Sequence, residues 1–216
     1  MARPREFDEA AVLEAAIQCF WSRGYEGTSV RDLAKKMRIK GASLYNAFGD
    51  KRSLYRRALD CYVEQSFVAC ARRFEEHLPP RDAIGAFFGE VIKQSLSDTH
   101  RKGCMVVNSA LEVAPHDPEF RRVVADVFVQ VEAFFRRCVA AGQRSGAIMR
   151  SQSADDLARL LLGVLLGIRV LARTRPEREL LEGLVRPAFA LLDSHKVGKQ
   201  RRGRRSHPLI GRRSTI

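Results

Sequence analysis

The stretch from Ser29 to Lys51, SVRDLAKKMRIKGASLYNAFGDK, constrains the fold of this chain more than any other segment. Its first half carries an apolar stripe at helical spacing, formed by Val30, Leu33, Ala34 and Met37, with basic side chains opposite. Ser29 and Asp32 have the spacing of a capping box, which predicts that the helix begins there. A second short apolar pattern follows a tight basic turn. This arrangement is typical of a helix-turn-helix.

The second helix of this motif is predicted to span only about eight residues, too few to persist in water without packing. Leu44, Ala47 and Phe48 share a face that can pack on the first helix. The side chains left facing outward are Ser43, Tyr45 and Asn46, beside Lys40 and Lys51. That face suits phosphates and base edges in a major groove. The alternative interpretation is that a basic helix face is merely solvated.

Residues 7 to 62 resemble the DNA-binding domain of TetR/AcrR-family transcriptional regulators. The similarity lies in RGYEGTSVRDLA and LYNAFGDKRSLY, at Phe20, Gly24, Tyr25, Thr28, Ser29, Leu44, Tyr45, Phe48 and Lys51. It implies an all-α fold, with an N-terminal three-helix helix-turn-helix domain and a C-terminal helical effector-binding and dimerisation domain. It also implies a homodimer that binds a palindromic operator in double-stranded DNA.

We expect the DNA contacts to fall into two groups. The residues expected to hold phosphates are Thr28, Arg31, Tyr45 and Lys51, and those within reach of base edges are Lys40, Ala42, Ser43 and Asn46. Ser29, which opens the preceding helix, completes the predicted DNA-binding set.

Two positions depart from the family pattern. Arg38 stands in the turn where Gly is usual, so a left-handed backbone conformation there would be strained by the Cβ. Lys40 stands where Ser or Thr often caps the recognition helix, and it offers no side-chain acceptor to the first N–H groups. These departures leave open where the recognition helix begins and which operator it reads.

The distribution of charge predicts three segments. The chain has 216 residues and a formal charge of +13, and 45% of it is apolar. Eight Lys or Arg fall within residues 196 to 216, which contain no acid, and residues 61 to 195 contribute only +1. We predict a DNA-binding domain over 1 to 60, a ligand-binding and dimerisation domain over 61 to 195, and a disordered basic tail over 196 to 216. The tail either attracts phosphate or is a solubilising remnant.

Helical periodicity continues through the rest of the chain. One long pattern begins near Asp50 and runs to His77, where Leu78-Pro79-Pro80 stops it, and it would link the two domains. Later patterns cover 82–96, 103–113, 117–143, 154–172 and 177–192, and no strand pattern competes. Pro187 should kink or split the last of these helices.

The region after Pro80 predicts an aromatic-rich interior. It is formed by Phe87, Phe88, Val91, Ile92, Met105, Asn108, Phe120, Val124, Phe128, Val131, Phe134 and Phe135. The family resemblance implies that such an interior holds the inducer, and we expect effector contacts from Phe87, Cys104, Asn108 and Phe128. Among these residues an inward Asn108 is the strongest indication of a pocket, because a buried amide needs hydrogen-bond partners. The alternative is an ordinary core.

Cys104 is a candidate sensor. KGCMVVNSALE resembles a subgroup of the family in which a cysteine at this position senses electrophiles or oxidants. Arg101, Lys102 and a helix N-terminus would all favour the reactive thiolate. The alternative is inert packing, with burial favouring the neutral thiol.

Gly163 and Gly167 lie in a Leu-rich helical pattern that is apolar nearly all round, so this helix needs a second partner. The resemblance implies that the last two long helices pair with their symmetry mates, and the glycines would allow close approach. A simple buried helix is the alternative.

The sequence predicts a cytoplasmic protein. The apolar run from Leu160 to Ile168 is less than half of the roughly 20 residues that a membrane span needs, and no signal-peptide pattern follows the first residues. The five cysteines are scattered and lack a CxxC motif, which fits a reducing compartment.

The leading functional hypothesis is a repressor that leaves its operator when a small-molecule or electrophile effector occupies residues 80 to 143. An enzyme is the first alternative, but the five His lack a Ser-His-Asp setting or an HExxH motif, and there is no glycine-rich phosphate loop. The sequence thus predicts no catalytic residue and no cofactor. His100 and Cys104 would ligate a metal only on one continuous helix. An architectural DNA binder without a ligand is the remaining alternative.

Overall fold

The N-terminal head of the molecule consists of three short helices. The computed structural model describes residues 8 to 193, so the predicted basic tail over 196–216 lies outside the described residues. The three helices are α1 (Glu9–Arg23), α2 (Val30–Met37) and α3 (Gly41–Phe48). Asp8 caps α1 by accepting hydrogen bonds from the first N–H groups, and Gly24 ends it at φ 77°. The predicted capping box of Ser29 and Asp32 is present in both directions.

The head is held together by side chains on the predicted apolar faces. Leu33 of α2 and Leu44 of α3 are fully buried, and Phe20 of α1 and Phe48 of α3 are nearly so. Because α3 has only eight residues, this burial rather than helix propensity keeps it folded. The predicted helix-turn-helix is confirmed.

A continuous helical segment leaves the head. It comprises α4 (Lys51–Val63), a π-helical turn (Glu64–Val68) and α5 (Ala69–His77). The predicted end at His77 is confirmed, but the π-helical turn was not expected. Such a turn shifts the register of side chains around the helix, so the buried faces of α4 and α5 need not be collinear.

The C-terminal body contains the remaining helices: α6 (Pro80–Ser97), α7 (Met105–Glu112), α8 (Pro118–Ser145), α9 (Ala154–Thr174) and α10 (Arg178–Leu192). Asp117 caps α8, Gly146 ends it in the left-handed conformation, and Ser153 caps α9. Helix α10 continues through Pro187, so the predicted split does not occur. Pro187 is exposed, and water can therefore satisfy the carbonyl that lacks a proline N–H partner.

The predicted aromatic interior is divided between two hydrophobic cores. Met105, Phe120 and Val124 pack with the head helices and α4, so the first core spans the head, α4, α7 and the beginning of α8. The second core joins α5, α6, α9, α10 and the rest of α8, and contains Phe87, Phe88, Val91, Ile92, Val131, Phe134 and Phe135. The prediction of a single interior is therefore wrong, because α8 is long enough to contribute side chains to two cores. Among residues 8 to 193, no helix is long and apolar enough to cross a membrane.

Candidate nucleic-acid interface and apolar cavity

The outward face of α3 is formed by the side chains that its packing leaves free. Exposed side chains are those of Lys40, Ala42, Tyr45 and Asn46, whereas Ser43 is half-buried. Tyr45 retains 51% of its accessible surface, which is unusual for a large aromatic side chain that could pack inside. An amide, a phenol and an ammonium group thus lie on or beside one short helix, where they can donate to phosphates and base edges.

The turn before α3 contains a residue in the left-handed conformation, although that residue is not glycine. Arg38 has φ 55° and ψ 37°, in the left-handed region, and the N–H groups of Arg38 and Ile39 close the end of α2. Lys40 occupies the N-cap of α3 without a side-chain hydrogen bond. The first N–H groups of α3 therefore lack a capping side chain and can donate to an anion such as a DNA phosphate.

The residues flanking α3 differ in exposure and in the contacts that they already make. Arg31 is exposed, and the Lys51 ammonium lies 4.2 Å from the centre of the Tyr25 ring. The Ser29 hydroxyl donates to the Asp32 carboxylate at 2.6 Å and accepts from the Asp32 N–H at 3.1 Å. The hydrogen bonds from Ser29 lower the pKa of Asp32. Ser29 thus serves the cap, while Arg31 and Lys51 keep cationic groups at the surface.

The head is attached to the body through α7 and the start of α8. Arg52 donates to both carboxylate oxygens of Asp117, at 2.8 and 3.1 Å, and to Glu119 at 2.6 Å. This hydrogen bonding lowers the pKa of Asp117 to about 2. Deeper in the contact, the hydroxyls of Tyr55 and Ser109 are 2.7 Å apart. These pairs fix α4 against α7 and α8.

Two further hydrogen bonds join α1 and its following turn to the two ends of α7. The indole N–H of Trp21 donates to the Gly103 carbonyl at 2.9 Å, just before α7. The Glu26 N–H donates to the Glu112 carboxylate at 2.8 Å, at the last residue of α7. A displacement of α7 would therefore act on the head through the hydrogen bonds at both ends of α7.

A small apolar cavity of about 50 Å³ lies where α4, α6, α7, α8 and α9 meet. Its walls include Phe67, Phe87, Cys104, Phe128, Leu165 and Arg169. Ligand sites usually measure roughly 300 to 1,000 Å³, so this cavity must expand before it can hold an organic molecule. Arg169, which lines it, also borders a larger groove of about 300 Å³ and donates to Gln94 at 3.3 Å.

Cys104 lies at the junction of this cavity and α7. It is the N-cap residue of α7, it is half-buried, and its thiol is free. Its side chain lies beside the hydroxyl of Tyr62, whose pKa is raised mainly by burial and also by Cys104. The Lys102 ammonium is directed to α1, where it donates to Gln18 at 3.2 Å.

Comparison with known proteins identifies the family. The description "Bacterial regulatory proteins, tetR family" matches residues 12–58, and "Tetracyclin repressor-like, C-terminal domain" matches residues 80–186. The HTH-type transcriptional regulator YezE of Bacillus subtilis (strain 168) is 33% identical over 194 residues, which are 89% of this chain and 100% of YezE. The chain belongs to the TetR family.

Two further relatives support this assignment. The HTH-type transcriptional repressor ComR of Escherichia coli (strain K12) is 28% identical over 173 residues, covering 79% of this chain and 82% of ComR. A cysteine mutant of the TetR family regulator CifR, solved with 26-base-pair operator DNA, is 31% identical with a TM-score of 0.78, covering 88% of this chain and 100% of that structure. This TetR-family chain is a DNA-binding transcriptional regulator and not an enzyme.

Two expectations about individual residues need correction, and the condition set for a metal site at His100 and Cys104 is not met. Thr28 is fully buried and its hydroxyl donates to the Gly24 carbonyl at 2.6 Å, so its side chain is not free to hold a phosphate. Asn108 does not line the apolar cavity, because its amide donates to the Lys102 carbonyl and accepts from Arg173. His100 and Cys104 do not share a helix, because α7 begins only at Met105.

The outer face of α9 carries the two glycines expected at a dimer interface. Gly163 is exposed, Gly167 is half-buried, and an added Cβ at either position would meet nothing within 4 Å in the single chain. Leu160 and Val170 on the same face are 39% and 47% exposed. Helix α9 thus presents apolar and small residues to solvent, where another helix could pack closely against it.

Sequence reasoning missed the residues that connect the two parts of the regulator. Arg52 and Asp117 are 65 positions apart, and Tyr55 and Ser109 are 54 positions apart. Asp117 was identified only as a helix cap, which it also is. No local pattern indicates its second partner, because periodicity and capping report on neighbours along the chain alone.

Proposed function

We propose that this TetR-family regulator is a homodimeric repressor that acts in the cytoplasm and leaves a palindromic operator when an effector enters the apolar cavity. One observation carries the proposal. Cys104 lines the cavity at the N-cap position of α7. The same helix contains Glu112, which bonds to the turn after α1 of the head, and Ser109, which bonds to Tyr55 of α4. Occupancy of the cavity and the position of the head are thereby coupled through one short helix.

On the DNA side, the outward face of α3 supports the assignment of contacts. Base edges are assigned to Lys40, Ala42, Ser43 and Asn46, and phosphates to Arg31, Tyr45 and Lys51, with Ser29 positioning the start of α2. Thr28 acts through the fold of the head. We retain residues 1 to 60 as the DNA-binding domain and 61 to 195 as the ligand-binding and dimerisation domain. A dimer with α9 and α10 at its axis would place two recognition helices about one DNA turn apart, roughly 34 to 36 Å.

On the effector side, the small size of the cavity supports a mechanism in which the ligand displaces helices. A cavity of about 50 Å³ holds no organic ligand as it stands. A ligand among Phe87, Cys104 and Phe128 must therefore separate α7 from α6, α8 or α9. Because Tyr55 and Arg52 attach α4 to α7 and α8, such separation would tilt the head and change the spacing of the two recognition helices.

An electrophile that adds to Cys104 is an effector of this kind. The Cys104 sulfur bonds to one carbon of an activated alkene, the carbon–carbon π bond breaks, and the other carbon takes a proton from solvent in place of the one that the thiol releases. The adduct would then occupy the cavity permanently.

The test uses operator DNA selected from a random library and one equivalent of N-ethylmaleimide. Wild-type protein should lose operator binding, measured by fluorescence anisotropy, whereas Cys104→Ser should bind DNA and ignore the reagent. Cys70→Ser is the matched control, since Cys70 is also half-buried but does not line the cavity.

Two results would contradict the covalent mechanism. Either Cys104→Ser is released like the wild type, or mass mapping finds Cys61 or Cys138 modified first. Cys104 would then be a cavity wall, and a thermal-shift screen of neutral small molecules would test for reversible effectors. A chain that no compound stabilises or releases would instead be the constitutive architectural DNA binder.

A further inference from the structure

A second concave surface, which we call the basic cleft, lies between the head and the loop that joins α6 to α7. Its volume is about 680 Å³. The cationic side chains that line it are Arg23, Lys35, Lys36 and Arg38 from the head and Lys102 from the loop, together with the imidazole of His100. The basic cleft is separate from the apolar cavity, with which it shares no lining residue.

The positive charge of the basic cleft is largely unneutralised. Among the described residues that line it, Asp32 is the one carboxylate, and it is already engaged by Arg23 at 3.1 Å and by Ser29. Lys35, Lys36 and Arg38 are exposed and form no ion pair within residues 8 to 193. Five cations facing one committed carboxylate repel one another, and an anion between them would relieve that repulsion.

The backbone is strained on both walls of the basic cleft. Arg38 at φ 55° and Arg101 at φ 53° are the two residues other than glycine with positive φ in the part of the chain that the structure describes. Arg38 lines the cleft, and Arg101 lies between His100 and Lys102 on the opposite wall. Left-handed conformations are costly for residues with a Cβ, and such strain clusters at ligand clamps and switch regions.

The basic cleft is also distinct from the recognition surface. None of the exposed residues of α3 lines it, and its loop wall belongs to the body rather than to the head. Its volume lies within the range of small-molecule sites, roughly 300 to 1,000 Å³. Its lining carries cations on both walls, and these favour an anionic ligand.

We propose that the basic cleft binds a small anion carrying two or more phosphoryl groups. Lys35, Lys36 and Arg38 hold one end of the anion from the head. His100 and Lys102 hold the other end from the loop. Two charged groups are needed because the cations lie on both walls, and phosphoryl oxygens accept several charge-assisted hydrogen bonds at once.

The bound anion would connect the head to the residues just before α7. Gly103 in this loop already accepts a hydrogen bond from Trp21, and Cys104 follows it directly. An anion in the cleft therefore stabilises the arrangement of head and loop seen in this structure. It opposes any displacement of α7 that an occupant of the apolar cavity would cause, so the two sites act in opposite directions.

Trp21 provides a direct readout of binding. It is the only tryptophan of the chain, and the Lys102 ammonium lies 4.0 Å from the centre of its ring. The full-length protein is titrated with inorganic pyrophosphate at constant ionic strength, and binding is followed by Trp21 fluorescence and by isothermal titration calorimetry. A saturable change with one site per protomer is expected. Calorimetry detects binding that leaves the indole unchanged.

Substitutions distinguish a specific binding site from non-specific electrostatic attraction of the anion. Lys36→Gln with Arg38→Gln should weaken pyrophosphate binding by at least about tenfold, while the fold measured by circular dichroism is retained. Lys93→Gln is the matched control, because Lys93 is exposed on α6 outside the cleft, and it should bind as the wild type does.

Three outcomes would overturn the proposal. The first is the absence of heat and of fluorescence change at millimolar pyrophosphate. The second is an equal response to sulfate, which would make the cleft a general electrostatic attractor. The third is that Lys36→Gln reduces the salt dependence of operator binding while pyrophosphate leaves the free protein unchanged, which would assign the cleft to DNA phosphates. The titration needs neither operator nor effector, so its result is independent of the proposed repressor mechanism.

Discussion

The hydroxyl of Tyr55 lies 2.7 Å from the hydroxyl of Ser109, and both side chains are buried where α4 crosses α7. Ser109 donates its own proton to the Met105 carbonyl at 2.8 Å. Tyr55 is therefore the donor of the pair. Burial raises the pKa of Tyr55 to about 12, which keeps the phenol protonated as this bond requires.

The direction of this hydrogen bond predicts unequal effects of the two simplest substitutions. Tyr55→Phe removes the donor and leaves Ser109 bonded to Met105, so it should cost about 0.5 to 1.5 kcal/mol in the free energy of unfolding. Ser109→Ala leaves a buried phenol without its acceptor and should cost more, about 1 to 3 kcal/mol. Urea unfolding at fixed protomer concentration measures both.

Ser95→Ala serves as the control for these substitutions. Ser95 is also buried, but its hydroxyl bonds only to the Val91 carbonyl of its own helix. Its loss should cost less than the loss of Ser109. An equal or larger cost for Tyr55→Phe than for Ser109→Ala would contradict the assigned direction.

The sequence predicts the helices well because each carries its own periodicity and caps. The apolar faces of α2 and α3 and the ends at Gly24, His77 and Gly146 depend on neighbouring residues alone. The π-helical turn has no such signal, since it changes the register within an uninterrupted helical pattern.

The candidate sites are predictable only where helix faces determine them. The exposed residues of α3 follow from its buried ones, whereas Cys104 was identified through a family resemblance and not through helix periodicity. Thr28 and Asn108 were misplaced because each makes a local hydrogen bond to a carbonyl, at Gly24 and Lys102, which periodicity does not indicate. The basic cleft joins residues that are more than 60 positions apart, so no local motif predicts it.

The bond between Arg52 and Asp117 predicts an acid dependence of stability. Hydrogen bonds from Arg52 lower the pKa of Asp117 from 3.8 to about 2 in the folded protein. The resulting stabilisation is present above pH about 4 and is lost as pH falls towards 2, because the unfolded state then binds a proton more readily. Asp117→Asn should flatten the profile of urea midpoint against pH in this window, while an Asn at the N-cap still caps α8.

Asp126→Asn is the control for this pH profile. Asp126 is exposed on the same helix and forms no ion pair within the described part of the chain. Its profile should follow that of the wild type. An unchanged profile for Asp117→Asn would mean that Arg52 does not bind Asp117 more strongly than water does.

The left-handed conformation of Arg38 predicts a stabilising substitution. Arg38→Gly removes the clash of the Cβ and one cation beside Lys35 and Lys36, and should raise the free energy of unfolding by about 0.5 to 1 kcal/mol. Lys36→Gly, in the last turn of α2, removes a similar charge without relieving strain and should destabilise by up to about 1 kcal/mol. Thermal unfolding of both variants measures the contrast. Destabilisation by Arg38→Gly would show that contacts of the Arg38 side chain outweigh the strain.

The open space beside Gly163 and Gly167 predicts a variant that separates the dimer. Replacing both with Leu fills the face along which α9 would approach its symmetry mate. The variant should sediment as a monomer while keeping its helix content, because Leu favours helix more than Gly does. Gly89→Leu is the control, since Gly89 is also helical with nothing near an added Cβ. A double variant that remains dimeric and binds a palindrome would locate the interface elsewhere.

The environments of Asn46, Lys51 and Thr28 predict three different effects on operator binding. Asn46 is exposed on α3, and Asn46→Ala should weaken operator binding by roughly 1 to 3 kcal/mol through the loss of one base contact in each half-site. Operators that already carry a different base pair at that position should bind the variant and the wild type almost equally. Lys51 lies at the start of α4 over the Tyr25 ring, and Lys51→Ala should weaken all operators alike and reduce the salt slope by about one.

Thr28→Val separates a structural role from a contact with DNA. Valine keeps the shape of the buried side chain but cannot donate to the Gly24 carbonyl, so stability should fall by about 1 kcal/mol. Operator affinity at a temperature where the variant is folded should stay within about threefold of the wild type. Anisotropy titrations over a set of operator variants and salt concentrations measure all three substitutions. A uniform loss for Asn46→Ala would remove it from the base contacts, and a large loss of affinity for Thr28→Val would return its hydroxyl to the phosphate contacts, because valine leaves the packing of the head nearly unchanged.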